Sequence, residues 1–133
     1  MPHKTNKLKN ERGQTLAEFA LVLPILVILI LGIAQFGIAF NNYVTLTDAA
    51  RAAARKGAVS RDSSDPTGDC QNAGYAAGGN LQNPGTDFTV VCSSSWSPGS
   101  DVTVTASYPY SISLLGMVVT SGTLTSTMKE RVE

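Results

Sequence analysis

Residues 16–40, LAEFALVLPILVILILGIAQFGIAF, form an apolar run of roughly 25 residues that holds one charged side chain, Glu18. At about 1.5 Å per residue a helix of that length extends ~37 Å, enough to cross a ~30 Å hydrocarbon layer with some tilt. The run therefore predicts a membrane-spanning helix. Pro24 removes one intrahelical hydrogen bond about two turns in, a defect that membrane helices tolerate. Gly32 and Gly37 miss the four-residue spacing of a helix-dimer seam. A secretory signal would have about half this apolar length and would end at a small-residue cleavage site. Here the nearest alanine-rich stretch, 49–54, lies well past Phe40 and contains Arg51.

Charge divides the chain around this run. Residues 1–61 hold eight Lys/Arg against three Asp/Glu, and residues 62–133 hold two against seven, although the formal net charge is zero. The two halves thus face different settings. Residues 1–13 are basic and nearly free of apolar side chains, so they predict a disordered cytoplasmic leader. Basic residues follow the helix as well, at Arg51, Arg55, Lys56 and Arg61, but Arg12 abuts the run while Arg51 stands about three turns beyond it. That asymmetry orients the N-terminus toward the cytoplasm. Both cysteines, Cys70 and Cys92, lie in the acidic half, where an even count after a membrane segment reads as one disulfide in an oxidising compartment. Two free thiols are the competing reading.

The junction reads Gly13, Gln14, Thr15, Leu16, Ala17, Glu18, Phe19. A carboxylate inside an apolar run costs about 2.5–3.5 kcal/mol at a bilayer centre and less near its edge, where Glu18 lies. One local explanation is a T-x-x-E capping box between Thr15 and Glu18. The basic leader, the glycine, four spacers, a glutamate and a long apolar helix together also resemble the type IV prepilin pattern. That resemblance implies cleavage after Gly13 by a membrane peptidase, leaving Gln14 as the mature N-terminus. The new α-ammonium would then face the Glu18 carboxylate of a neighbouring subunit. Opposite charges at ~4 Å gain about 1 kcal/mol in water and about 4 kcal/mol at an effective dielectric of 20, so the pair would favour one axial stagger. The chain departs from the pattern at Gln14, where type IV pilins often carry phenylalanine.

Beyond Phe40 the chain stays alanine-rich and helix-forming to about Lys56, with Gly57 as the stop. Tyr43, Leu46, Ala50, Ala53 and Gly57 share one thin face suited to close approach by a sheet or helix. Arg51 and Arg55 project together, with Asp48 placed to offset their repulsion, as a solvated basic face or as a contact for anionic headgroups or an acidic neighbour. The segments RGQTLAEFALVLP, GIAQFG and DAARAAARKGA resemble the TadE-like family, minor pilin-like (pseudopilin) proteins of the bacterial tight-adherence (Flp) type IV pilus system. The resemblance covers about the first 60 residues, and the tail, VTVTASYPYS and LTSTMKERVE, is similar to the strand-rich ends of that family. It implies a role in building or anchoring the pilus. The partners it implies are the prepilin peptidase, other pilus-assembly subunits and the cytoplasmic membrane, with no cofactor, nucleic acid or small-molecule substrate.

Residues 60–86 are rich in Ser, Asp, Gly, Pro and Asn and read as loop, with one short helical turn near Tyr75. Asp62, Asp65 and Asp69 lack the spacing and terminal glutamate of a calcium loop, so a solvated turn is the better reading. From Asp87 the period becomes two. Phe88, Val90 and Cys92 share a face, as do Val102, Val104, Ala106 and Tyr108, and residues 123–132 supply a third strand. The expected fold class is α+β: a long N-terminal transmembrane helix (14–59) continuing into a small antiparallel sheet domain of about three strands (60–133). Three strands need a cover, and the alanine face of the helix is long enough to provide it. Trp96 and the run LLGMVV at 114–119 stand out as apolar features that either pack back, dip into the membrane interface or meet a partner.

A histidine-based triad is excluded outside the leader, because His3 is the sole histidine, and no metal cluster or phosphate loop is visible. The reading is a non-enzymatic subunit with no catalytic and no metal site. Its alternative is an uncleaved, single-pass, membrane-anchored extracellular binding module.

Overall fold

The computed structural model describes residues 7–133, with side chains from Gly13 onward. Its elements are α1 (Lys7–Ala58), α2 (Pro66–Ala77), β1 (Thr89–Ser93), β2 (Asp101–Leu114) and β3 (Met117–Arg131). The three strands form one antiparallel sheet in the order β1-β2-β3, with β2 central. This is the α+β layout of one long helix and a three-stranded sheet.

The helix is continuous through Pro24 for 52 residues. It begins earlier than the composition implies. The disorder expected for 1–13 lies outside the described residues over 1–6, but from Lys7 the backbone is helical. Lys, Leu, Glu and Arg are good helix formers, and extending an existing helix fixes one residue per hydrogen bond gained, so the apolar run propagates its conformation backward. Gly57 does not stop the helix, which ends at Ala58. A Cβ at Gly57 would stand 2.9 Å from Val102 Cγ1 and 3.3 Å from Cys70 Sγ, so the glycine lets β2 and α2 approach the helix closely. The helix end is closed from several directions. Ser60 Oγ donates to the Lys56 carbonyl at 2.6 Å, and the Glu133 N–H donates to the Ala58 carbonyl at 3.1 Å, pinning the end of the chain to the end of α1. Arg55 and Lys56 occupy the last turn, where cations favour the helix dipole.

The core forms where the alanine face of α1 meets the sheet. Leu46, Ala50 and Ala53 are buried as the spacing predicts, joined by Ala49 and Ala54, while Tyr43 remains mostly exposed. From the sheet, Phe88, Val90, Val102, Val104 and Ala106 turn inward. Each fully buried Val, Leu or Phe contributes about 1.5–3 kcal/mol relative to exposure. Trp96 packs against this core from the β1–β2 connection, and its backbone N–H donates to Ser94 Oγ at 3.0 Å.

Two elements differ from the sequence expectation. The loop expected over 60–86 contains a twelve-residue helix, α2. Asp65 caps it by accepting from the Gly68 N–H at 2.9 Å, Pro66 stands in its first turn, and Asp69 accepts from Ser63 Oγ at 2.7 Å. Its glycines read as loop formers in the sequence, but Gly74 is a packing device. A Cβ there would lie 2.9 Å from Val90 Cγ1 and 3.1 Å from Ala53 Cβ. The third strand is also longer than 123–132, beginning at Met117. Leu115 (φ 51°) and Gly116 (φ 83°) both take positive φ, the backbone of a two-residue hairpin turn, so 114–119 is the tip of a hairpin rather than a connection between shorter strands.

Candidate functional site

Along residues 13–31 every side chain of α1 is exposed. Leu21 is 75% accessible and Leu16 70%. A helix apolar on all faces and covered on none belongs in hydrocarbon rather than water. The helix is long and apolar enough to cross a membrane, and none of its most apolar stretch is buried. This geometry fits a single-pass membrane anchor.

At the N-terminal end of the apolar stretch the structure sets Gln14 and Glu18 one turn apart on one face. Gln14 Nε2 donates to Glu18 Oε1 at 3.1 Å, which gives the carboxylate a polar partner within its own chain. The capping box does not form, because Thr15 lies well inside the helix and has no helix start to cap. Glu18 is therefore left on the outside of the helix, held by an exposed side-chain hydrogen bond alone among the contacts it shows. Gly13 is also within the helix, and a Cβ at that position would meet nothing within 4 Å. The Gly13–Gln14 bond is thus open to approach from outside but held in helical conformation.

Cys70 of α2 and Cys92 of β1 are joined, with Cα atoms 6.4 Å apart at a sequence separation of 22. The bridge ties α2 to the first strand. For a loop of that length the chain-entropy model assigns about 3 kcal/mol of stabilisation, a large share for so small a core. The bridge needs an oxidising setting to persist. Arg51 and Asp48 pair at 3.4 Å with both side chains mostly exposed, which offsets part of the Arg51–Arg55 repulsion but adds little stability. The aspartates 62, 65 and 69 do not converge: Asp65 caps α2, Asp69 receives Ser63, and Asp62 pairs with Arg61 at 3.3 Å.

One feature was not legible in the sequence. Between α1 and the β2–β3 hairpin lies an apolar cleft of roughly 340 Å³, walled by Phe36, Phe40 and Tyr43 on one side and by Tyr110, Ile112 and Leu124 on the other. The Tyr110 ring lies over its cross-strand partner Gly122, where a Cβ would come within 2.9 Å of the ring. The missing signal was the length of the hairpin, which carries these residues down beside the apolar run.

No curated protein and no solved structure matches the chain. The match that exists falls on the helix. It begins at Gly13, covers the apolar run, Glu18 and most of the alanine face, and ends just short of Gly57: over residues 13–55 the chain is similar to the family described as TadE-like protein.

Proposed function

We propose that this chain is a minor pilin-like subunit that assembles or anchors a bacterial tight-adherence (Flp) pilus and is processed after Gly13 by a prepilin peptidase. The observation that carries the reading is the TadE-like match beginning at Gly13, on a helix exposed on all sides over residues 13–31 whose apolar run holds one carboxylate, Glu18. In this reading residues 1–13 are a cytoplasmic leader, 14–59 the transmembrane and assembly helix, and 60–133 an extracytoplasmic domain closed by the Cys70–Cys92 bridge. Its role is structural rather than enzymatic, and its partners are the peptidase, other pilus-assembly subunits and the cytoplasmic membrane. Cleavage would place an α-ammonium on Gln14, one turn from Glu18. In the membrane Glu18 keeps its Gln14 partner; in a filament it exchanges that partner for the ammonium of a neighbour, in a medium where the charge pair is worth several times its value in water.

The test is the intact mass and N-terminal sequence of the protein extracted from membranes of a host that carries the peptidase. The expected terminus is Gln14. An intact leader in that host would refute processing and favour the uncleaved, anchored binding module. The Glu18→Ala variant is expected to insert and be cleaved normally but to fail in pilus assembly, scored by sheared-pilus yield. Loss of membrane insertion instead would assign Glu18 to the helix alone.

A further inference from the structure

The β2–β3 hairpin descends along α1 toward its N-terminus. Val102 lies against Gly57, and Tyr110 and Ile112 line one cleft with Phe36, Phe40 and Tyr43. Strand β2 continues to Leu114 before the turn at Leu115 and Gly116, about 7 Å further at 3.3 Å per residue. The helix records the same reach. Half-buried positions recur at Asn42, Ala39 and Gln35, the last lining a cleft with Tyr108 and Tyr110, whereas a Cβ at Gly32 would meet nothing within 4 Å, so side-chain contact ends at about Gln35 and the hairpin extends past it. The tip of the hairpin is therefore level with about Gly32, some eight residues inside the apolar end at Phe40, or ~12 Å down the axis at 1.5 Å per residue.

The tip has the chemistry of that depth. Leu115 and Met117 are each 70% exposed, Val118 64% and Val119 62%. From Ala106 to Met128 the hairpin contains no Asp, Glu, Lys, Arg or His. Tyr43, Tyr108 and Tyr110 line the clefts above the tip, with Tyr43 three residues beyond Phe40 in sequence, and amphipathic rings favour the headgroup level. Depth is limited from the other side: the outer edges of β2 and β3 near the turn carry unpaired backbone groups, which hydrocarbon does not satisfy. The balance places the apolar side chains of the tip about 5–10 Å inside the boundary of headgroups and acyl chains, as in interfacial segments.

We propose that the hairpin tip, residues 114–119, inserts into the lipid leaflet on the C-terminal side of the span, giving the chain a second lipid contact beside its helix. The inference rests on the membrane-anchor reading. A helix alone leaves the sheet free to rotate and tilt with respect to the bilayer; a helix and an inserted tip fix it. The partner is a phospholipid surface rather than a second copy, because the tip is continuous in level with a helix that itself requires lipid and has no charge with which to select a protein.

The test uses the full chain with Trp96→Phe, reconstituted in phosphatidylcholine vesicles whose acyl chains carry bromine, a fluorescence quencher. Tryptophan is introduced singly by Val118→Trp or Met117→Trp at the tip, Ile28→Trp in the span, and Val91→Trp on the exposed face of β1. The tip and span variants are expected to lose about half or more of their emission relative to unbrominated vesicles, since a ring ~5–10 Å inside the acyl boundary lies among the bromines. The Val91→Trp variant should keep its emission. Quenching in the span without quenching at either tip position overturns the insertion and leaves the anchor standing. No quenching at Ile28→Trp overturns the anchor and the proposal with it. A tip emission that is shifted to the blue, unquenched and dependent on protein concentration assigns the tip to a second copy and also overturns the proposal.

Discussion

Gly13→Val is expected to leave the chain at full length, with no product beginning at Gln14, while its membrane insertion and fold are unchanged. The separation of these effects follows from the geometry. A Cβ at position 13 meets nothing within 4 Å, so valine is accommodated by the folded chain without displacing a neighbour. The effect must then arise in the encounter with the peptidase. Since α1 runs unbroken through residues 13 and 14, a peptidase that cuts there, as proposed, has to open the helix locally to present the bond. Glycine eases that opening, because it is about 1 kcal/mol less favourable than alanine inside a helix. Valine, itself a poor helix former, removes only part of that advantage, but it adds a β-branched side chain that crowds the bond to be cut. Intact-mass measurement of the membrane fraction reads the outcome directly. Normal accumulation of a form starting at Gln14 would show that the cut does not depend on Gly13, and the placement of the processing site would fall.

Features with a repeating period were readable before the fold was known. The apolar run declared itself by length. The alanine face at Leu46, Ala50 and Ala53, and the alternation through Phe88, Val90, Val102 and Val104, marked the core correctly. What was not readable depended on tertiary contact. Gly74 looks like a breaker in isolation and is a point of close approach only once Val90 and Ala53 are brought to it. The helix start at Asp65 and Pro66 did carry a local signal, an aspartate before a proline at the first helical position, but the glycines on either side of it argued for loop. The hairpin turn lacked the usual Asn-Gly or Asp-Gly marker, since Leu115 takes the left-handed conformation that those residues favour. The sequence pattern therefore marks strands shorter than the 14 and 15 residues of β2 and β3, and with them it hides the cleft beside Tyr110 and the depth of the tip. At Thr15 and Glu18 the local pattern pointed to a cap that the continuous helix does not need, and the carboxylate is available to other partners instead.

The helix is apolar and exposed along its lower part, which fits a membrane, and its upper part owes its place to a small core. That core should be sensitive to a single deletion. Phe88→Ala is expected to cost about 3–5 kcal/mol of stability, the range for removing a buried aromatic side chain and leaving a cavity. Phe88 is fully buried, meets Tyr75 edge-to-face with ring centroids 5.4 Å apart, and fills the space that Gly78 leaves open, where a Cβ would overlap its ring. Tyr75 in turn accepts the Val90 N–H at 3.4 Å through its hydroxyl, so losing Phe88 also loosens the register between α2 and β1. The disulfide cannot replace this packing, because it constrains the unfolded chain more than it fills the folded one. Denaturant unfolding of the full chain in detergent, followed by the emission of Trp96 packed against the same core, measures the loss. Val91→Ala, on the exposed face of the same sheet, should change stability by no more than about 0.5 kcal/mol. A Phe88→Ala cost below about 1 kcal/mol would mean that the sheet is held to α1 by something other than this core, since a buried aromatic that leaves a cavity cannot be removed so cheaply.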